Sequence, residues 1–361
     1  MRRSRRAQGA TRNWYPQIGV NLNGAEFGTG AQFPGTFNTT YTYPTIAELN
    51  YYKSKYLKLV RLPFRWENMQ PTLSAALDPA ELSRMDAFVA AAYARGIQCI
   101  PCQMGYGGYG NAQHPPNKIG GGVVTRAQFV DFWTRMATHY VGNPGIYGYG
   151  LCNEPVGMPF GEWPAASQAV INGIRTVDTK TAIICPGDNS STCKNWTLAP
   201  SNSGGIAMGG NSTYLLSDPL GNNNLIYETH NYFDSDGSGS YVLTYAQEIS
   251  GGMSTTVGAD RVNGFIGWCQ SHGVRGYVGE FGIPNTDSTW IPVLDGFLAA
   301  MVKGGCIGTI WGGGPWWGDA YNIAIEPTPE TNVVVPLGAL TDRPAMATLL
   351  KYSNITGQAP P

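Results

Sequence analysis

Three consecutive stretches decide the fold: Ile97-Gln98-Cys99-Ile100-Pro101-Cys102, the run from Thr125 to Tyr140, and Ile146-Tyr147-Gly148-Tyr149-Gly150-Leu151-Cys152. The first and third are short apolar runs of strand length. In the second, Thr125 and Gln128 have the spacing of a capping box, and Phe129, Phe132, Trp133, Met136 and Tyr140 follow as one helical stripe. Strand, helix, strand over this distance predicts a parallel crossover unit.

The same order recurs on both sides. Strand-like runs stand at Ile18–Leu22, Leu57–Leu62, Thr181–Cys185, Leu225–His230, Arg275–Glu280 and Cys306–Trp311, making eight in all. Leu82, Met85, Phe88, Val89 and Ala92 share one helical face that ends at Gly96. Further helices are predicted over Ala165–Val177, Ala259–His272, Trp290–Lys303 and Ala345–Tyr352. Eight alternations fit a closed (β/α)8 TIM barrel, one domain over residues 14–361. An open dinucleotide-binding sheet is rejected, because Gly24 to Gly30 lacks the G-x-G-x-x-G pattern leading into a helix.

Composition narrows the function. The 361 residues carry 23 Lys plus Arg and 24 Asp plus Glu, a net charge of -1 that leaves no footprint for nucleic acid. Only 13% are charged, which excludes a disordered acidic or basic protein. No apolar run is long enough to span a membrane. Residues 1–13, with Arg2, Arg3, Arg5, Arg6 and Arg12, form a basic arm; no apolar segment follows, so they are not read as a signal peptide.

Seven cysteines leave at least one unpaired; Cys185 and Cys193 flank a Pro-Gly-Asp loop and are candidates for a disulfide. Cys99 and Cys102 lie inside a strand-like run and are not read as a metal or redox pair. His139 and His272 fall within helices and His114 is isolated, so no histidine spacing argues for metal hydrolysis.

In a barrel the working residues lie at the C-terminal strand ends. Here those ends read Arg61-Leu62-Pro63-Phe64, Leu151-Cys152-Asn153-Glu154-Pro155, His230-Asn231-Tyr232, Val278-Gly279-Glu280-Phe281-Gly282 and Ile310-Trp311-Gly312. Glu154 and Glu280 emerge from buried strands, where an ionised carboxylate costs several kcal/mol unless paired. Alternation puts Val278 and Glu280 on one face, and Pro155 is expected to hold Glu154 extended. Two such carboxylates can run glycoside hydrolysis, one protonating the leaving oxygen and the other attacking the sugar carbon. Arg61 is the cation expected to keep Glu280 ionised with a lowered pKa. Asn153 offers an amide to a sugar hydroxyl, and Trp311 a flat face to a pyranose.

These motifs, in this order, resemble the signature of glycoside hydrolase family 5, the retaining cellulase family. The resemblance runs from about Gly19 to Trp317, and the stretch from Leu225 to Asp236 is especially similar to the fungal-type endoglucanase branch. It implies a (β/α)8 barrel, Glu154 as acid/base and Glu280 as nucleophile. Arg61, Asn153, His230 and Tyr232 would surround the reacting sugar, with Trp311 as its platform and a cis peptide between Trp311 and Gly312. It implies no metal or cofactor, a β-glucan substrate, and a secreted enzyme; a monomer is expected.

One segment departs from the pattern. The family's third strand ends in His-Asn and an aromatic, whereas this one reads Gln103-Met104-Gly105-Tyr106. Met104 cannot supply a strong hydrogen bond to a hydroxyl, so contacts near the reacting sugar must differ. Trp66, Tyr106, Tyr109, Trp196, Trp316 and Trp317 follow predicted strands and are candidates to line a polymer cleft. The reading is an endo-acting retaining β-1,4-glucanase. The alternatives are the same mechanism on mannan, xylan or xyloglucan, and a carbohydrate-binding barrel without turnover.

Overall fold

The computed structural model describes residues 17–28, 33–110, 117–197, 201–203, 206–208, 215–221, 224–329 and 336–356. The basic arm and His114 lie outside them.

Eight parallel strands close into a barrel. They are β1 (Ile18–Leu22), β2 (Leu59–Arg65), β3 (Gln98–Met104), β4 (Gly148–Gly150), β5 (Ala182–Pro186), β8 (Leu225–His230), β9 (Arg275–Glu280) and β10 (Ile307–Gly313). They pair in that order around the ring, and β1 closes on β10. All eight predicted strands are present, shifted by a few residues at their ends. Two three-residue strands, β6 (Ser201–Ser203) and β7 (Ile206–Met208), pair antiparallel outside the barrel. They are too short to leave a periodic signal.

The helices are α1 (Ile46–Ser54), α2 (Trp66–Met69), α3 (Pro79–Tyr93), α4 (Arg126–Tyr140), α5 (Glu162–Arg175), α6 (Tyr245–Ser250), α7 (Val257–His272), α8 (Ile291–Lys303) and α9 (Pro344–Thr356). The capping box of α4 forms as read: Thr125 Oγ1 accepts from the Gln128 N–H at 3.2 Å, and Gln128 Oε1 from the Thr125 N–H at 2.8 Å. Phe129, Phe132, Trp133, Met136 and Tyr140 are all buried. α1 was not predicted; its cap residues Thr45 and Glu48 form a capping box that the polar sequence after them obscured.

Inside the barrel the side chains form layers. Leu59, Ile100, Ala182, Ile184, Ile226, Tyr277 and Ile307 make an apolar plug toward the strand N-terminal ends. Two residues further along the same strands, alternation brings inward Arg61, Cys102 and Glu228, each fully buried. The barrel therefore changes from apolar to charged within one layer, just below its C-terminal mouth.

Alternation fails at one decisive place. β8 and β9 pair Thr229 with Val278 and then His230 with Glu280, skipping Gly279. Val278 packs in the outer core, while Glu280 lines the barrel mouth, so the two do not share a face as the strand period predicted. The irregularity re-aims Glu280 inward, a common use of a bulge beside a site. All seven cysteines are free and buried, Cys185 and Cys193 included, so the disulfide considered for that pair is absent.

Candidate active site

A cavity of about 710 Å³ opens at the C-terminal mouth of the barrel, lined among others by Asn153, Glu154, Tyr232, Glu280 and Trp311. Four strand ends, those of β4, β8, β9 and β10, thus deliver these side chains to one place. Asn153 follows β4, and its N–H donates to the Gln103 carbonyl at 2.7 Å, tying it to β3. Glu154 adopts φ +46°, not the extended backbone expected before Pro155. A non-glycine residue held there costs about 1–3 kcal/mol and is typical of functional sites.

Arg61 is the centre of the network. Its Nη1 donates to Glu280 Oε1 at 3.0 Å and to Asn21 Oδ1 at 2.9 Å. Its Nη2 donates to Asn153 Oδ1 at 2.6 Å and lies 3.1 Å from Glu228 Oε1. Tyr232 donates its hydroxyl to Glu280 Oε2 at 2.8 Å. His230 bridges the remaining acids: Nδ1 lies 2.7 Å from Glu154 Oε1 and 3.6 Å from Glu280 Oε2, and Nε2 lies 3.3 Å from Glu228 Oε1.

The electrostatics follow from this packing. Burial disfavours charge on His230, but the Glu280 charge and the hydrogen bonds to Glu154 and Glu228 outweigh it and raise its pKa to about 10. The imidazole is a cation at neutral pH. Burial pushes the Glu280 carboxyl above the usual range, and His230 and Arg61 pull it back only in part. The lowered value expected from Arg61 alone is thus corrected: desolvation of a carboxylate inside a barrel outweighs its cations. One oxygen each from Glu154 and Glu280 and a ring nitrogen of His230 lie within 4.8 Å of one another. His230 Nδ1 lies at hydrogen-bonding distance from Glu154 and close to Glu280, so the cluster is arranged to hold and move protons.

Trp311 sits at the end of β10, its Nε1 donating to the Tyr321 hydroxyl at 2.7 Å. The Trp311–Gly312 peptide is cis. Trp317 stacks flat on Tyr321, with centroids 3.9 Å apart, and both line the cavity, as does Tyr106. Three of the other aromatic candidates, Trp66, Trp196 and Tyr109, are corrected. Trp66 is fully buried in α2, packed against Phe129 and Phe132. Trp196 is fully buried between Phe265 and Trp268. Tyr109 packs on Trp66 and donates to the Gln70 carbonyl. Trp316, next to Trp317, is exposed outside this cavity and stays a candidate for a longer cleft. Position after a strand does not separate a rim residue from one folded back under the loop.

Sequence reading missed Asn21, Glu228 and Glu26. Asn21 pairs in register with Arg61 and also donates to the Gly279 carbonyl at 2.9 Å. Glu228 stands two residues before His230, so strand period alone puts both on one face. Glu26 lines the cavity from the loop after β1.

Residues 20–311 match the family described as cellulase, glycosyl hydrolase family 5. The chain belongs to that family. This family 5 chain is 29% identical to Endoglucanase 3 of Humicola insolens over 86% of its own length and 73% of the relative's. Among solved structures it is similar to an endo-beta-1,4-glucanase of Xanthomonas axonopodis pv. citri, with TM-score 0.82, 30% identity, and coverage of 95% of this chain and 100% of that one. It is also similar to the endoglucanase Cel5A of Pseudomonas stutzeri solved in complex with cellobiose, with TM-score 0.80, 32% identity, and coverage of 94% and 95%. The family 5 chain is a glycoside hydrolase of endoglucanase type.

Proposed function

We propose that the chain is an endo-acting, retaining β-1,4-glucanase in which Glu280 is the nucleophile and Glu154 the acid/base. The observation that carries this reading is the approach of the two carboxylates, oxygen to oxygen within 4.8 Å. Retaining pairs stand about 5–5.5 Å apart, whereas inverting pairs need about 6.5–9.5 Å to admit a water.

In the first step Glu280 attacks the anomeric carbon while Glu154 gives its proton to the glycosidic oxygen, and the C–O bond breaks. A glycosyl ester on Glu280 results. In the second step Glu154 takes a proton from water, the oxygen attacks the anomeric carbon, and Glu280 leaves as carboxylate. Arg61 and the Tyr232 hydroxyl hold Glu280 in one orientation and stabilise it as it leaves. Protonated His230, against both Glu154 and Glu280, offsets the charge of whichever carboxylate is ionised. Asn153 is placed for a hydroxyl of the reacting sugar, and Trp311 and Trp317 for its faces. The working unit is one catalytic domain over residues 14–361 acting as a monomer, and the family resemblance implies that it works outside the cell.

Reducing-sugar release from soluble β-glucans, mannans and xylans tests the substrate, and proton NMR of the first product tests the stereochemistry. The β-anomer should form first from a β-1,4-glucan. An initial α-anomer defeats the assignment of roles. Met104 in the cavity wall favours a second reading, in which another β-glycan is preferred with the same chemistry; faster release from mannan or xylan would select it.

A further inference from the structure

The cavity wall beside the reacting site is bare where β3 ends. Met104 lines it with an apolar side chain, and Gly105 contributes none. Gln103 does not replace them. It is buried, does not line the cavity, and its Nε2 turns back onto the Met104 carbonyl.

The neighbouring strand supplies what β3 lacks. Register pairs Arg65 with Met104, so the two emerge at one level of the mouth. A Cβ on Gly105 would lie 3.7 Å from Arg65 Nη1, so the guanidinium stands beside the space that a side chain at 105 would fill. Arg65 is held before any sugar arrives. Its Nε donates to the Glu26 carbonyl at 2.9 Å, and its guanidinium lies over the Phe33 ring at 4.6 Å. It is half-buried and lines the cavity, and among the described residues its Nη groups make no hydrogen bond.

Glu26 lines the same cavity, and its carboxyl feels the Arg65 charge. Asn23 Nδ2 donates to Oε1 at 2.6 Å and the Gly24 N–H to Oε2 at 2.8 Å, which leaves each oxygen a further lone pair. Burial, moderated by these hydrogen bonds, raises its pKa to about 7. A fixed donor fork thus stands beside a fixed acceptor, and neither serves the network around Glu280.

We propose that Arg65 and Glu26 together read two neighbouring hydroxyls of the sugar bound against Met104, and so set specificity at that wall. The guanidinium donates to the hydroxyl oxygens and the carboxylate accepts a hydroxyl proton, which suits a vicinal diol. The proposal rests on the assignment of Glu154 and Glu280 above, and it makes Arg65 and Glu26 specificity residues that take no part in bond breaking.

The test is kcat/KM on an aryl β-cellobioside and its monodeoxy analogues, for the natural protein, Arg65→Gln, Arg65→Lys and Glu26→Gln. Removing the hydroxyl that is read should cost the natural protein about 10- to 100-fold. The same deletion should cost Arg65→Gln less than 3-fold, because the partner is already gone. Arg65→Lys should fall between them, and Glu26→Gln should relax a neighbouring position. If every deoxy substrate is lowered equally in natural and variant proteins, Arg65 and Glu26 are structural and the proposal is overturned. A natural protein that loses less than 3-fold on every deoxy analogue overturns it without any variant. No turnover of the parent glycoside by the natural protein would instead overturn the active-site assignment itself.

Discussion

Glu228 lies directly over Gly279: a Cβ built on Gly279 would stand 1.9 Å from Glu228 Oε1. That oxygen is also the one that faces Arg61 Nη2 and His230 Nε2. Glycine at 279 is therefore what lets a buried carboxylate sit between two cations, and the skipped pairing at the same residue is what turns Glu280 into the cleft. Gly279→Ala should displace Glu228 and disturb both functions at once. Breaking a buried pair costs about 3–5 kcal/mol, so thermal melting should show a large fall and kcat should drop with it. Glu228→Gln, which keeps the shape, should retain the fold better while lowering the His230 pKa, readable by NMR titration of the ring. An unchanged His230 titration in Glu228→Gln would show that Glu228 does not govern that proton.

The two glutamates should separate kinetically. Glu280→Ala removes the group that forms the glycosyl ester and should abolish turnover, by about 10⁴-fold or more, even with activated aryl leaving groups. Glu154→Ala should spare the first step on those substrates, because a good leaving group needs little protonation. Azide should then restore turnover in Glu154→Ala and yield a β-glycosyl azide. The same response to azide in both variants would reverse or remove the roles.

The barrel was legible because its signals are local and repeated: eight apolar runs, and helices marked by caps such as Thr125–Gln128. The site was legible where a polar residue ends an apolar strand, as at Arg61, Glu154, His230 and Glu280. It was not legible where the determinant is tertiary. Nothing near Val278 announces the skipped residue, because the shift exists only in the pairing of β9 with β8. Trp196 follows a strand as Trp317 does, yet the first folds under its loop onto Trp268 and the second stacks on Tyr321. Asn21 reads as an ordinary strand residue until register places it beside Arg61.

Protonated His230 ties stability to pH. Its folded pKa is about 10 against an ordinary 6.5, so the contribution is fully present below about 6.5 and is lost as pH rises toward 10. Between pH 6.5 and 8.5, before the thiols of an unfolded chain ionise, stability should fall by up to about 1.4 kcal/mol per pH unit. Chemical denaturation across that interval measures the slope. His230→Asn should be less stable at pH 6.5 and should show a much flatter profile. An equal slope in that variant would place the proton elsewhere.

Buried and cleft tryptophans should behave oppositely. Trp196→Ala empties a packed site and should cost about 3–5 kcal/mol of stability, with KM for polymer unchanged in the protein that remains folded. Trp317→Ala should leave stability less affected and raise KM for polymer by about 2- to 10-fold. A polymer KM that rises for Trp196→Ala alone would return that residue to the cleft.

Restoring the family's His-Asn pair should not improve the enzyme. Gly105 has φ +129°, a backbone that side chains rarely adopt. A Cβ there would also meet Gln103 Nε2 and the Gly108 carbonyl, each at 3.1 Å. Gly105→Asn should thus cost about 1–3 kcal/mol in stability from the backbone alone, and the local shift should carry Arg65 with it. Met104→His puts a donor into the wall without this strain, but no neighbour is arranged to fix its ring, so kcat/KM on a β-1,4-glucan should stay level or fall. The double variant should be worse than Met104→His by roughly the cost of Gly105→Asn. The measurement pairs melting curves with kcat/KM for the three variants. A double variant that is both as stable as the natural protein and faster would mean that the backbone at 105 relaxes freely, and that the apolar wall is a loss of function that Arg65 does not make good.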